Sequence, residues 1–209
     1  MFNVDELGDS VRENFIGMVI EAEFPCNCRM CEEGTKRLIE MGREPRQTDR
    51  IHLVIKPLTQ YDNFQHAWYN KSRIIWSGHG AFTLALNKKL GFVPKGSTEE
   101  QWKQVRRFLL GNVFEWESVD IVSFVNRNLP EEKREKRIPK SLPPALKGAK
   151  EVWVPIRHIK EDELESLGVI DVKEFYENAK KEYKSRVEEA DVDELIAEQF
   201  GGADTVLDI

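Results

Sequence analysis

The stretch Phe15–Phe24, FIGMVIEAEF, concentrates aromatic and β-branched residues and reads as a β-strand. Gly17 inside it predicts a bulge or a strong bend, since a glycine gives a strand interior no side chain to pack. Downstream, RIHLVIKPL (50–58) alternates Ile51, Leu53 and Ile55 against His52, Val54 and Lys56, the pattern of a half-buried strand that Pro57 brings to an end. QHAWYNKSRIIWS (65–77) predicts a third strand with a kink near Ser72. VFEWESVDIVSF (113–124) predicts a fourth, and EVWVPIRHI (151–159) a fifth, which Pro155 marks as an edge or a bulge.

Helical signals lie between the third and fourth strands and after the fifth. GAFTLALNKKLGF places Phe82, Ala85, Leu86 and Leu90 at helical spacing, with Gly91 as the stop. In STEEQWKQVRRFLLG, Ser97 and Glu100 form a capping box, Trp102, Val105 and Leu109 an apolar stripe, and Gly111 the end. EDELESLG predicts a short helix. Residues 171–190 predict a longer one, opened by Asp171 and Glu174 and striped by Val172, Phe175, Ala179, Tyr183 and Val187. DVDELIAEQFGG predicts a last helix carrying Leu195, Ile196 and Phe200. Two segments read as loops: 25–49, which holds all three cysteines, and 126–150, with four prolines and eight bases against three acids.

The formal net charge of −6 hides an asymmetry. Residues 161–209 hold 16 acids and 5 bases, leaving 21 acids and 26 bases in 1–160. The chain therefore divides into a mildly basic body, 1–160, and an acidic helical extension, 161–209. That division points to nucleic-acid contact on the body and to a partner protein on the extension, although a solvated acidic helix has the same composition. No apolar run reaches membrane-spanning length, and the N-terminal MFNVDELGDSVREN lacks the apolar segment of a signal peptide. Three clustered cysteines make a poor disulfide framework and fit a reducing cytoplasm.

Five strands with helical material between the third and fourth are the arrangement of an oligonucleotide/oligosaccharide-binding (OB) barrel. Over roughly residues 14–159, through FIGMVIEAEF, RIHLVIKPL, HAWYNKS, GAFTLALNKKLGF and VFEWES, the body resembles OB-fold single-stranded-DNA-binding proteins of viral and archaeal type. The expected fold is thus a mainly β, five-stranded OB-like barrel with inserted helices and a C-terminal helical extension. The acidic tail is similar in kind to the partner-binding tails of bacterial single-strand binders. Those end in Phe behind a run of Asp, whereas this one ends Leu207-Asp208-Ile209.

The resemblance implies a non-catalytic binder of single-stranded DNA or RNA acting in replication, recombination or repair. Such proteins stack bases on aromatic faces within a basic groove, at about 1–3 kcal/mol per base. The residues that fit are Lys56, Trp68, Tyr69, Lys71, Arg73 and Trp76, with Lys133, Arg134, Lys136 and Arg137 of the basic loop. Any one of the aromatics could equally be core. The second reading is a structural or adaptor subunit of a virion or replication complex, docking its partner through Phe175, Tyr183, Leu195 and Ile196.

Cys26-x-Cys28-x-x-Cys31 supplies three soft ligands within six residues. A structural zinc would need one more, with His52 on the neighbouring strand as the expected fourth and His66, His79 and His158 as the other histidines available. An iron–sulfur cluster, or plain surface thiols, would use the same residues. No G-x-S-x-G, P-loop, H-E-x-x-H or dinucleotide fingerprint occurs. Ser77-Gly78-His79-Gly80 reads as a tight turn opening a helix. Glu21 with Glu23, and Glu115 with Glu117, share strand faces where a nuclease could hold Mg²⁺, or where a half-exposed sheet simply meets water.

Overall fold

A computed structural model describes residues 12–26, 28, 29, 32, 36, 39, 40, 50–70, 81–120 and 151–189. Five strands form one antiparallel sheet: β1 (Phe15–Glu23), β2 (Arg50–Pro57), β3 (Gln65–Asn70), β4 (Val113–Asp120) and β5 (Glu151–His158), in the spatial order β3-β2-β1-β4-β5. β1 is therefore the central strand. It pairs with β2 from Gly17↔Pro57 to Glu23↔His52 and with β4 through its first half, from Phe15↔Trp116 to Met18↔Val113.

The expected bulge exists, but it lies between Val19 and Glu21 rather than at Gly17. Its position follows from the backbone of Val19, whose carbonyl accepts from Gly111 N at 2.8 Å and whose N–H donates to Asn112 O at 3.1 Å. The turn leading into β4 thus takes up Val19 where the β1–β4 ladder ends. Gly17 answers a different need, close approach. A Cβ there would lie 2.8 Å from Ile55 Cγ2 and 2.9 Å from the Lys56 carbonyl oxygen. Pro155 satisfies both expectations, on an edge strand and opposite Trp116 where the β4–β5 register shifts.

Closure into a barrel is not made by a ladder among the described residues. β3 and β5 are the sheet's two edges. They do come together, through a side chain: the Tyr69 hydroxyl donates to the Trp153 carbonyl. A phenol spans the place where a fifth, closing ladder would run, so these residues form a curled open sheet.

Both faces of the sheet are covered. On the first, Phe15, Ile51, Leu53, Ile55, Tyr69, Phe114, Trp116 and Trp153 pack against α1 (Ala81–Leu84), its π-helical continuation Ala85–Lys89, and α2 (Thr98–Leu109). On the second, Met18, Ile20, Val54, Phe64 and Val113 pack under α3 (Glu161–Ser166) and α4 (Val172–Glu189), with Ala179 and Tyr183 of α4 buried. Each large side chain so buried contributes about 1.5–3 kcal/mol, so α4 is part of the sheet's own core. The helix signals hold over the described residues, and the last expected helix, DVDELIAEQFGG, lies outside them. Ser97 and Glu100 make the full capping box of α2, and Asp171 Oδ1 accepts from Lys173 N and Glu174 N, both at 2.9 Å, at the start of α4. Among the described residues no helix is long and apolar enough to cross a membrane.

Candidate metal centre

β1 ends at Glu23, which lies opposite His52 in the β1–β2 ladder. The chain then passes through Phe24 and Pro25 to Cys26, so the first cysteines fall beside the start of β2. The ligand atoms of Cys26, Cys28 and His52 all lie within 4.8 Å of one another, the one such group of His, Cys and acidic side chains among the described residues. Zinc bonds of about 2.3 Å to sulfur and 2.0–2.1 Å to nitrogen set tetrahedral ligand atoms roughly 3.5–3.8 Å apart, so an ion would draw these three together by ~1.3 Å at most. Cys26 is buried, Cys28 half-buried, and neither is in a disulfide.

His52 is 2% exposed. Burial first, and the neighbouring His66 second, push its pKa well below the ordinary 6.5. It is therefore a neutral imidazole, the form that binds a metal. Its Nε2 is 2.8 Å from Nδ1 of His66, one ring donating to the other, and the rings stack with centroids 5.1 Å apart. A hydrogen bond of this kind on one nitrogen orients the imidazole and sets its tautomer, as the outer partners of metal-binding histidines do. His66 in turn packs against the Tyr183 ring of α4, at 5.9 Å.

Of the expected ligands, Cys26, Cys28 and His52 converge, while Cys31 lies outside the described residues. His158 sits on β5, against Phe114 and separated from β2 by β1 and β4. His79 is outside the described residues. His66, weighed only as a ligand, takes the place of the ligand's partner. The signal for that was present in the alternation. His52↔Trp68 and Val54↔His66 are ladder pairs, so His52 and His66 are diagonal neighbours on the face that Ile51, Leu53, Ala67 and Tyr69 do not use.

The expected nucleic-acid surface needs correction at the residues that are described. Tyr69 is 5% exposed, packs on Phe82 with centroids 4.0 Å apart, and donates to Trp153; it is core and offers no face to a base. Lys56 is not an open cation: both oxygens of Glu182 on α4 accept from its ammonium at 2.8 Å, and it lies over the Phe64 ring. The sheet's second face, on which Lys56 lies, is covered by α4. The backbone of Trp68 pairs with His52, and its side chain is outside the description. Lys71, Arg73, Trp76, Lys133, Arg134, Lys136 and Arg137 also lie outside it. On α4, Phe175 and Tyr183 pack on the protein's own sheet, not on a partner, and Leu195 and Ile196 are outside the described residues.

The two carboxylate pairs do not converge. Glu115 lies opposite Ile16 and is held at 2.9 Å by Arg157, which also bonds Glu163. Glu21 and Glu23 lie at the other end of β1, opposite Val54 and His52. Next to the thiols, a cleft of ≈ 480 Å³ is lined by Cys28, Arg29 and Glu21 and, from α4, by Lys180, Lys184 and Val187. No known protein family, curated protein or solved structure matches the chain.

Proposed function

We propose that this protein is a non-catalytic single-stranded nucleic-acid-binding protein built on an OB-type sheet, with DNA as the first substrate to test. The observation that carries the reading is topological. The order is β3-β2-β1-β4-β5 with helices between β3 and β4, and outside that helical segment the longest connections run between β1 and β2 and between β4 and β5. In OB folds these are the loops that close on an oligonucleotide. Here the first carries the cysteines and the second carries Lys133, Arg134, Lys136 and Arg137. Because β1 and β4 run antiparallel, the loops leave opposite ends of β1 and would grip a strand from two sides.

A structural zinc on Cys26, Cys28 and His52, with Cys31 as the remaining thiolate in the motif, would stiffen the first loop. With α4 over the sheet's second face, the loops rather than the β2–β3 surface carry the contact. The test is a fluorescence-anisotropy titration with a labelled dT oligomer at two salt concentrations. Binding that weakens with salt and shows little sequence preference is expected. Absence of binding at low salt would sink the proposal.

A further inference from the structure

Two independent routes connect the candidate metal centre to the C-terminal half of α4. One passes through the sheet: His52 bonds His66 at 2.8 Å, and the His66 ring rests on Tyr183. The other is direct. Arg29, adjacent to Cys28, donates from Nη1 to the Val187 carbonyl at 3.3 Å. That carbonyl belongs to the last turn of α4, where helix C=O groups lack intrahelical donors and a cation is favoured. A 3.3 Å hydrogen bond from an exposed arginine holds a helix end only weakly, because ordering so flexible a side chain offsets most of the gain. The balance changes if the residues before it are fixed, and a metal on Cys26 and Cys28 would fix them.

The same part of α4 holds Lys56 through Glu182 and buries Tyr183 on Phe64 and His66. The first half of α4 is anchored by Val172, Phe175 and Ala179 in the apolar core that also takes Tyr183 and Val187. We propose that zinc bound by Cys26, Cys28 and His52 acts as a clamp on residues 180–189: it presses Arg29 onto the helix end and holds His66 under Tyr183, so that the ion governs access to the strand face carrying Lys56. The proposal rests on the zinc reading above and deepens it, turning a loop staple into a control on one face of the sheet.

Hydrogen exchange of the full chain, with metal content measured before and after chelation, tests it. Expected are one zinc per chain, a rise of about tenfold or more in exchange across 180–189 when zinc is removed, and no change in α2. Lys56 should also react faster with an amine acylating reagent. Arg29→Ala, an exposed change, should keep the zinc and loosen only the last turn of α4. If the zinc is bound but its removal leaves 180–189 and Lys56 unchanged, the clamp is wrong and the zinc reading stands. If no zinc is retained, both fail. If α2 loses protection equally, the ion is a global staple and the clamp is overturned. An Arg29→Ala protein with an unaltered helix end would overturn the direct route.

Discussion

Tyr69 shows how far a single side chain can depart from its apparent role. In the run HAWYNKS it reads as a stacking platform, yet its phenol is the link between the sheet's two edges, β3 and β5. Burial pushes its pKa well above the ordinary 10.0, so it stays a hydroxyl that can donate. Tyr69→Phe keeps the ring and strands the buried Trp153 carbonyl. A loss of about 1–3 kcal/mol in urea unfolding is expected, and oligonucleotide affinity at fixed salt should not move, since the ring meets no base. Glu21 is the second residue whose surroundings set its behaviour. Burial, then Glu23, raise its carboxyl pKa above 4.5, with Lys180 opposing. A folded-state acid pKa above the unfolded value makes ionisation a penalty, absent well below 4.5 and complete once the pH exceeds the folded value. Glu21→Gln should accordingly raise the melting temperature at neutral pH and leave it unchanged in acid. A thermal scan at the two pH values that showed equal shifts would contradict this.

Among elements, α4 separates what local pattern can tell from what it cannot. Its start was legible: Asp171 is an N-cap residue three positions before Glu174, and it accepts from the backbone N–H groups of Lys173 and Glu174. Asp171→Ala should lower stability by about 0.5–2 kcal/mol, read as an earlier denaturant midpoint with an unchanged slope. Its stripe was legible too, since Ala179 and Tyr183 are buried and Val172, Phe175 and Val187 pack beside them. What the stripe packs against was not. Helical periodicity says that a face is apolar, and strand alternation says that Ile51 and Leu53 oppose His52 and Val54, but neither says which surface meets which. For the same reason Lys56 could be placed on a strand face while the carboxylate of Glu182, 126 positions away in sequence, could not be foreseen to cover it. His66 fell between the two cases, since its face followed from alternation and its role only from the cluster around it. The bulge was foreseen, and it moved from Gly17 to the Val19–Glu21 step because the deciding bonds come from Gly111 and Asn112, distant in sequence.

At the scale of the whole molecule, charge and topology bear on one another. A chain of net charge −6 can attract a polyanion only if its cations are gathered away from its acids. α3 and α4 belong to the acidic extension, and Glu182 of α4 neutralises Lys56 on the sheet, so the sheet's second face contributes little attraction of its own. In sequence the β4–β5 connection gathers four bases, Lys133, Arg134, Lys136 and Arg137, within five residues. If that loop grips single strands, each base on a phosphate releases condensed counterions and adds about 0.7 to the slope of log affinity against log salt. Replacing all four by alanine should then reduce the slope by up to about 3 and weaken binding most at low salt. Neutralising Lys56 should hardly change the slope, because its charge is already taken by Glu182. Anisotropy titrations across a salt series decide between the two surfaces. A slope unaltered by the four loop substitutions but reduced by Lys56→Ala would move the polynucleotide onto the β2–β3 face and require α4 to leave it.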